Sequence, residues 1–164
     1  EGRLRLALVA GVRPEVEARF REAIREAGLE GRLGHGLELL RAPTFEAYYR
    51  EFNALLARSD ILWTKPSELT FYAALGLPIV CAPPVGVHER YNRRWLRESG
   101  AGLRQRDPRV AADWLQDWLG DGLLASAAWA GYMRLPKFGL QRIVEAVTAS
   151  HGPGPGPAQP LTRP

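Results

Sequence analysis

Three short segments of this chain place cations, hydroxyls and amides at the start of helix-compatible stretches, a combination suited to binding anions. Gly11-Val12-Arg13 closes an apolar run and precedes Pro14. Thr64-Lys65-Pro66-Ser67, with Glu68 and Thr70 just beyond, closes the apolar run at residues 61–63. His88, Glu89 and Asn92 follow the turn Pro83-Pro84-Val85-Gly86, which closes the run at residues 78–82. A helix start offers free N–H groups and the positive end of its dipole to a phosphate. Arg13 could add a fork of donors, and Lys65 a compact charge; the only other lysine is Lys137. Glu89 and Asn92 supply a carboxylate and an amide, groups that pair with vicinal hydroxyls.

Each of these positions also has a plainer reading. Gly11 and Arg13 fit an ordinary strand–helix turn with a solvated arginine. Ser67 and Thr70 suit capping as well as ligand contact, and Glu68 suits a first-turn residue complementing the dipole. His88, Glu89 and Asn92 fit N-terminal caps, and Lys65 a loop lysine. Arg90, Arg93, Arg94 and Arg97 read as one solvated face, or as a surface attracted to an anionic membrane or a pyrophosphate. Trp95, Trp114, Trp118 and Trp129 at helical positions read as core, as does mid-strand Cys81. No His or Cys stands at ligand spacing from His88, so no metal site is expected.

The elements that must position these residues alternate. Residues 3–10 read as a buried strand, residues 14–27 as a helix opened by Pro14 and closed by Gly28, and residues 37–40 as a second strand. Thr44 is a good N-cap for a helix to about Ala57. Strands follow at residues 60–64, 77–82 and 102–105. Helices fill residues 66–75, 88–99 and 108–119, with two more near 123–134 and 138–149. This alternation predicts an α/β fold: a doubly wound, Rossmann-like parallel sheet of about five to six strands with helices on both faces. Ligands of such sheets bind at the carboxyl ends of the strands. The domain spans residues 1–150, and the Pro/Gly-rich residues 151–164 read as a disordered tail.

The central segment resembles the carboxyl-terminal, nucleotide-sugar-binding domain of GT-B-type glycosyltransferases. The nearest patterns are those of monogalactosyldiacylglycerol synthase and of the lipid-linked N-acetylglucosaminyltransferase of peptidoglycan synthesis. The matching residues are Thr64-Lys65, Gly76-Leu77-Pro78, His88-Glu89, Asn92 and Gly100-Ala101-Gly102, in the family's order and spacing. Two positions depart from it. Ser67-Glu68 stands where the family keeps a glycine pair beside the donor phosphates. Phe71 stands where it keeps a ribose-binding glutamate, with Glu68 one helical turn earlier as a candidate replacement.

The resemblance implies the donor-binding half of a glycosyltransferase that takes a nucleoside-diphosphate sugar, expected to be UDP-linked, with no cofactor beyond that substrate. The diphosphate would lie against Gly11, Arg13, Lys65 and the Ser67 helix start, the nucleoside near residues 40–42 and Phe45, and the sugar at His88, Glu89 and Asn92. The family's catalytic base usually belongs to an amino-terminal domain, so this chain is expected to be inactive without that partner. A first residue of Glu1 fits an excised or processed piece. Two alternatives stay open: a non-catalytic interaction or regulatory module on the same fold, and half of a sugar-nucleotide epimerase.

A net charge of +4 over 164 residues permits anionic partners without selecting one. No zinc-finger spacing or RRM-type aromatic motif points to nucleic acid. No apolar run approaches the roughly 20 residues of a membrane span, and one cysteine excludes an internal disulfide. These features fit a reducing compartment, and a cytoplasmic location is expected, with peripheral membrane contact as an option.

Overall fold

A computed structural model describes residues 4–67 and 69–149. The proposed tail and Glu68 lie outside these residues. The chain divides into two compact units, Glu1–Ser59 and Asp60–Pro164.

In the first unit, β1 (Leu6–Gly11) and β2 (Leu37–Arg41) pair in parallel, Leu8 opposite Leu39. The crossover α1 (Pro14–Glu26) joins them, and α2 (Phe45–Leu56) follows β2. Pro14 opens α1 where a missing N–H costs nothing. The Ala47 N–H donates to Thr44 Oγ1 at 3.2 Å, the cap expected from sequence. The apolar core here is small: Ala10, Ile24, Leu37, Ala42 and Leu55 are buried.

In the second unit, β3 (Leu62–Thr64), β4 (Ile79–Cys81) and β5 (Gly102–Arg104) form a parallel sheet in that order. The short α3 (Leu69–Ala74) connects β3 to β4, and α4 (Val87–Ser99) connects β4 to β5. A 3-10 turn at Pro108–Val110 leads into α5 (Ala111–Gly120), followed by α6 (Leu123–Arg134) and α7 (Gly139–Ala149). Strand β4 carries the core. Side chains alternate across a sheet, and all three residues of β4 are no more than 1% exposed. Ile79 and Cys81 pack with Leu69, Ala73, Leu96, Ala101 and Leu135. Val80 faces the other way, into Trp114, Trp118 and Leu124. Helices therefore cover both faces of this sheet, which is why β4 reads as an unbroken apolar run.

The five strands form one two-stranded and one three-stranded sheet, not the single sheet of five to six strands that alternation predicts. Alternation of strands and helices marks crossovers but carries no information on how far one hydrogen-bonded ladder extends. Boundaries moved too. The helix expected from Pro108 begins with a 3-10 turn, and α3 spans only six residues. Trp114 and Trp118 are core as expected, but Trp129 is 67% exposed, because the buried stripe of α6 runs through Leu124, Ala127 and Gly131 instead.

Glycine sets two close approaches. At Gly100 a left-handed residue (φ +76°) ends α4 so that the chain can enter β5. At Gly131 a Cβ would lie 2.4 Å from the Ala73 carbonyl oxygen, so α6 packs directly on the α3 backbone. Alanine normally gains about 1 kcal/mol over glycine inside a helix, whereas overpacking costs about 1–3 kcal/mol. Here the obstacle is main chain, so overpacking wins. Gly131→Ala is expected to lower unfolding free energy by up to about 2 kcal/mol in denaturant titration. Gly120→Ala, whose Cβ would meet nothing within 4 Å, is expected to be neutral or slightly stabilising. Equal effects of the two would contradict this packing.

Candidate functional site

Helix α4 presents an inward stripe whose two ends differ in chemistry. Glu89, Asn92, Arg93 and Leu96 fall at i, i+3, i+4 and i+7, on one side of the helix. Leu96 is fully buried in the core, Glu89 is 8% exposed, and Asn92 and Arg93 are half-buried. Leu96 fixes the helix on the sheet. The polar end of the stripe therefore meets the carboxyl edge of β3 and β4, where the chain leaves each strand.

Asn92 ties two crossover loops together. Its Nδ2 donates to the Pro66 carbonyl at 2.9 Å and to the Ser67 carbonyl at 3.3 Å. Both partners are acceptors, so the amide nitrogen must face them and Oδ1 faces away. Pro66 is buried, and the Ser67 N–H closes a tight turn on the Lys65 carbonyl at 2.8 Å. Lys65, Ser67 and Thr70 are exposed around this turn. Because α3 is short, its dipole adds little there, and the Lys65 charge is the stronger attraction for an anion.

Glu89 shapes the neighbouring loop. The Val85 N–H donates to Glu89 Oε2 at 2.6 Å, and Glu89 stands at the third helical position after the cap Gly86. This is the reciprocal half of a capping box, a carboxylate reaching back to orphan amides. The Val85 hydrogen bond is the main influence holding its pKa below the usual carboxylate range. The Gly86 amide and the Lys65 and His88 charges add to it, and burial opposes it. Lys65, in the loop after β3, and Glu89, in the first turn of α4, thus share one electrostatic neighbourhood. His88 is exposed, and its ring covers Gly86 so closely that a Cβ there would lie 3.0 Å from His88 Cε1.

The structure brings together Lys65, Ser67, Glu89 and Asn92, with His88 at the rim. Gly11 and Arg13 belong to the first unit, at the junction of β1 and α1. Gly11 has φ +67°, and the exposed Arg13 caps α1 through its backbone without a side-chain bond. Glu15 and Glu17 occupy the first turn of α1, and their charges oppose an anion at that helix start.

Sequence reading treated the α4 arginines as one face, but they divide. Arg94 pairs with Glu98 at 2.7 Å in solvent, whereas the Arg93 charge reaches Cys81 at the end of β4. Burial pushes the Cys81 thiol pKa up, and Arg93 partly offsets that. The signal for Arg93 was its place one turn after Glu89 on the stripe that ends at Leu96. Among the described residues no cluster of three or more His, Cys, Asp or Glu could hold a metal ion. Nor is any helix of these residues long and apolar enough to cross a membrane. No protein-family model matches this chain, and no curated protein matches it in sequence.

The Glu89 carboxylate has a lower pKa folded than unfolded, so its stabilising contribution is complete above the ordinary glutamate pKa. It disappears as pH falls through the folded value. Glu89→Gln keeps an acceptor but not the charge. It is expected to unfold at a lower temperature than the wild type at neutral pH, with the gap closing as pH falls below the ordinary glutamate range. A gap unchanged over that range in thermal unfolding would show that the charge contributes nothing.

Proposed function

We propose that this chain is the donor-binding half of a GT-B-like glycosyltransferase, working in the cytoplasm on a nucleoside-diphosphate sugar, UDP-linked by preference. One observation carries the proposal: two crossover loops, one bearing Lys65 and the other Glu89, are bound together by Asn92 at the carboxyl edge of a parallel sheet. Such edges are where open α/β sheets take their ligands.

In this reading the diphosphate lies on the Pro66–Ser67 turn beside Lys65. The Lys65 ammonium stabilises the charge that develops on the leaving nucleoside diphosphate. Asn92 Oδ1 and His88 are placed for the sugar hydroxyls. Glu89 acts as a positioning residue, since its carboxylate already holds the Val85 amide. The acceptor and its activating base come from an amino-terminal partner domain, as the family resemblance implies, so the isolated chain does not turn over. The exposed Arg90 and Arg97 supply the surface for peripheral contact with an anionic membrane.

A second reading, a non-catalytic module on the same fold, is favoured by Phe71. It occupies the position of the family's ribose-binding glutamate and is 61% exposed, offering the ribose no acceptor. Half of a sugar-nucleotide epimerase is a further variant, although among the described residues no acid–base pair suited to epimerisation is evident at the site. Isothermal titration with UDP, GDP and their sugars separates these readings. The donor reading predicts heat with at least one of them, and affinity falling about tenfold in Lys65→Ala through loss of a charge-assisted phosphate contact. No heat at millimolar ligand would leave the module.

A further inference from the structure

The connection from β5 to α5 concentrates positive charge in a way the donor reading does not use. An open concavity of about 640 Å³ is lined by Pro83 and residues 104–109. Its size suits a small-molecule ligand more than a bare ion. The lining contains Arg104, Arg106 and Arg109 against one carboxylate, Asp107. That carboxylate is already neutralised. Arg109 donates to it through Nε at 3.1 Å and through Nη2 at 2.7 Å, and the Arg109 N–H donates to Asp107 Oδ1 at 3.0 Å. Among the described residues neither Arg104 nor Arg106 has an ion-pair partner, so two guanidinium charges are left uncompensated.

The other groups of the concavity point to the same ligand chemistry. Arg106 lies over the Trp118 ring, 5.4 Å from its centroid, a cation–π contact that leaves its charge without a carboxylate partner among the described residues. Gln105 Oε1 accepts from Trp63 Nε1 at 2.7 Å, so its amide nitrogen is the part left to donate. Trp114 Nε1 donates to the Asp107 carbonyl at 2.8 Å and anchors the loop to the buried Trp114–Trp118 pair. Two guanidinium forks and an amide donor, with the sole carboxylate occupied, match a tetrahedral oxyanion better than a sugar or an apolar group.

We propose that this concavity is a second anion site, which takes the phosphate or diphosphate group of a phosphate ester. The site is independent of Lys65. It lies at the carboxyl end of β5, and Pro83 joins its wall to the loop that follows β4. Arg104 and Arg106 hold the phosphate oxygens, Gln105 donates at the side, and Arg109 with Asp107 fixes the loop.

Titration calorimetry of the whole chain with inorganic pyrophosphate at low ionic strength tests the site, in a Lys65→Ala background that removes the donor-site cation. This Lys65→Ala chain is expected to bind. Adding the exposed pair Arg104→Ala/Arg106→Ala is expected to weaken that binding by at least about tenfold. Arg104→Lys/Arg106→Lys keeps the charges but not the forks, and an affinity between the two supports the site. Co-sedimentation with phosphatidate-containing vesicles, against phosphatidylcholine alone, names the source. Sedimentation that the alanine pair abolishes assigns a lipid headgroup, and pyrophosphate binding without sedimentation assigns a soluble ester. Heat that survives the alanine pair in this background, a lysine pair equal to the Lys65→Ala parent, or neither heat nor sedimentation overturns the proposal. Circular dichroism of each variant establishes that the fold is intact, and the Lys65→Ala background separates this outcome from failure of the donor reading.

Discussion

Asn92 donates through a single nitrogen to two carbonyls of a different crossover loop, and the arrangement of the carboxyl edge depends on that tie. The helix bearing Asn92 starts after β4, whereas the carbonyls it holds follow β3. A net hydrogen bond contributes about 0.5–1.5 kcal/mol, but leaving a buried carbonyl unpaired costs about 1–3 kcal/mol. The tie therefore acts more by penalising separation of the loops than by its own strength. Glu89 performs a similar task one turn earlier, folding the Val85–Gly86 segment onto the helix that follows it. The exposed groups, Lys65, Ser67 and His88, are held on a frame made by groups that are largely spent.

That frame stands on a small but two-sided core. Strand β4 sends Ile79 and Cys81 to one face and Val80 to the other, and all three are almost completely buried. Each fully buried aliphatic side chain contributes about 1.5–3 kcal/mol, so Ile79 and Val80, with the buried Cys81 beside them, fix the strand that both loops leave or flank. The close approaches of Gly131 to Ala73 and of Gly102 to Leu96 and the Ile79 carbonyl tighten the packing on the Ile79–Cys81 face. The carboxyl edge is thus built from ordinary apolar patterning, and the polar chemistry is confined to where that patterning stops.

Much of this was legible in the sequence, for identifiable reasons. The apolar runs bounded by Pro and Gly marked the strands, and Thr44, Pro14 and Gly100 marked helix ends because capping chemistry is local. Lys65 and Glu89 were placed near one edge because a parallel sheet puts every strand exit on the same side. The division into two ladders was not legible, since strand pairing is a long-range property. Arg93 was hidden among neighbouring arginines until Leu96 showed which side of α4 faces inward. The charge at residues 104–109 went unread because Pro108 marked only an ordinary helix start after the last strand, with no glycine-rich motif beside it. Trp129 was misplaced in the core because a tryptophan at helical spacing does not reveal which side its helix buries.

The central claim is that the Lys65 turn and the start of α4 form one ligand-binding surface at the carboxyl edge of the second unit's sheet. A backbone amide NMR titration with UDP addresses this most directly, because it reports each loop separately in one experiment. The account predicts that the amides of Lys65, Ser67 and the first turn of α4 shift together along a single saturation curve, and that Asn92→Ala uncouples them. Shifts confined to one of the two loops, or to neither at saturating ligand, would contradict it.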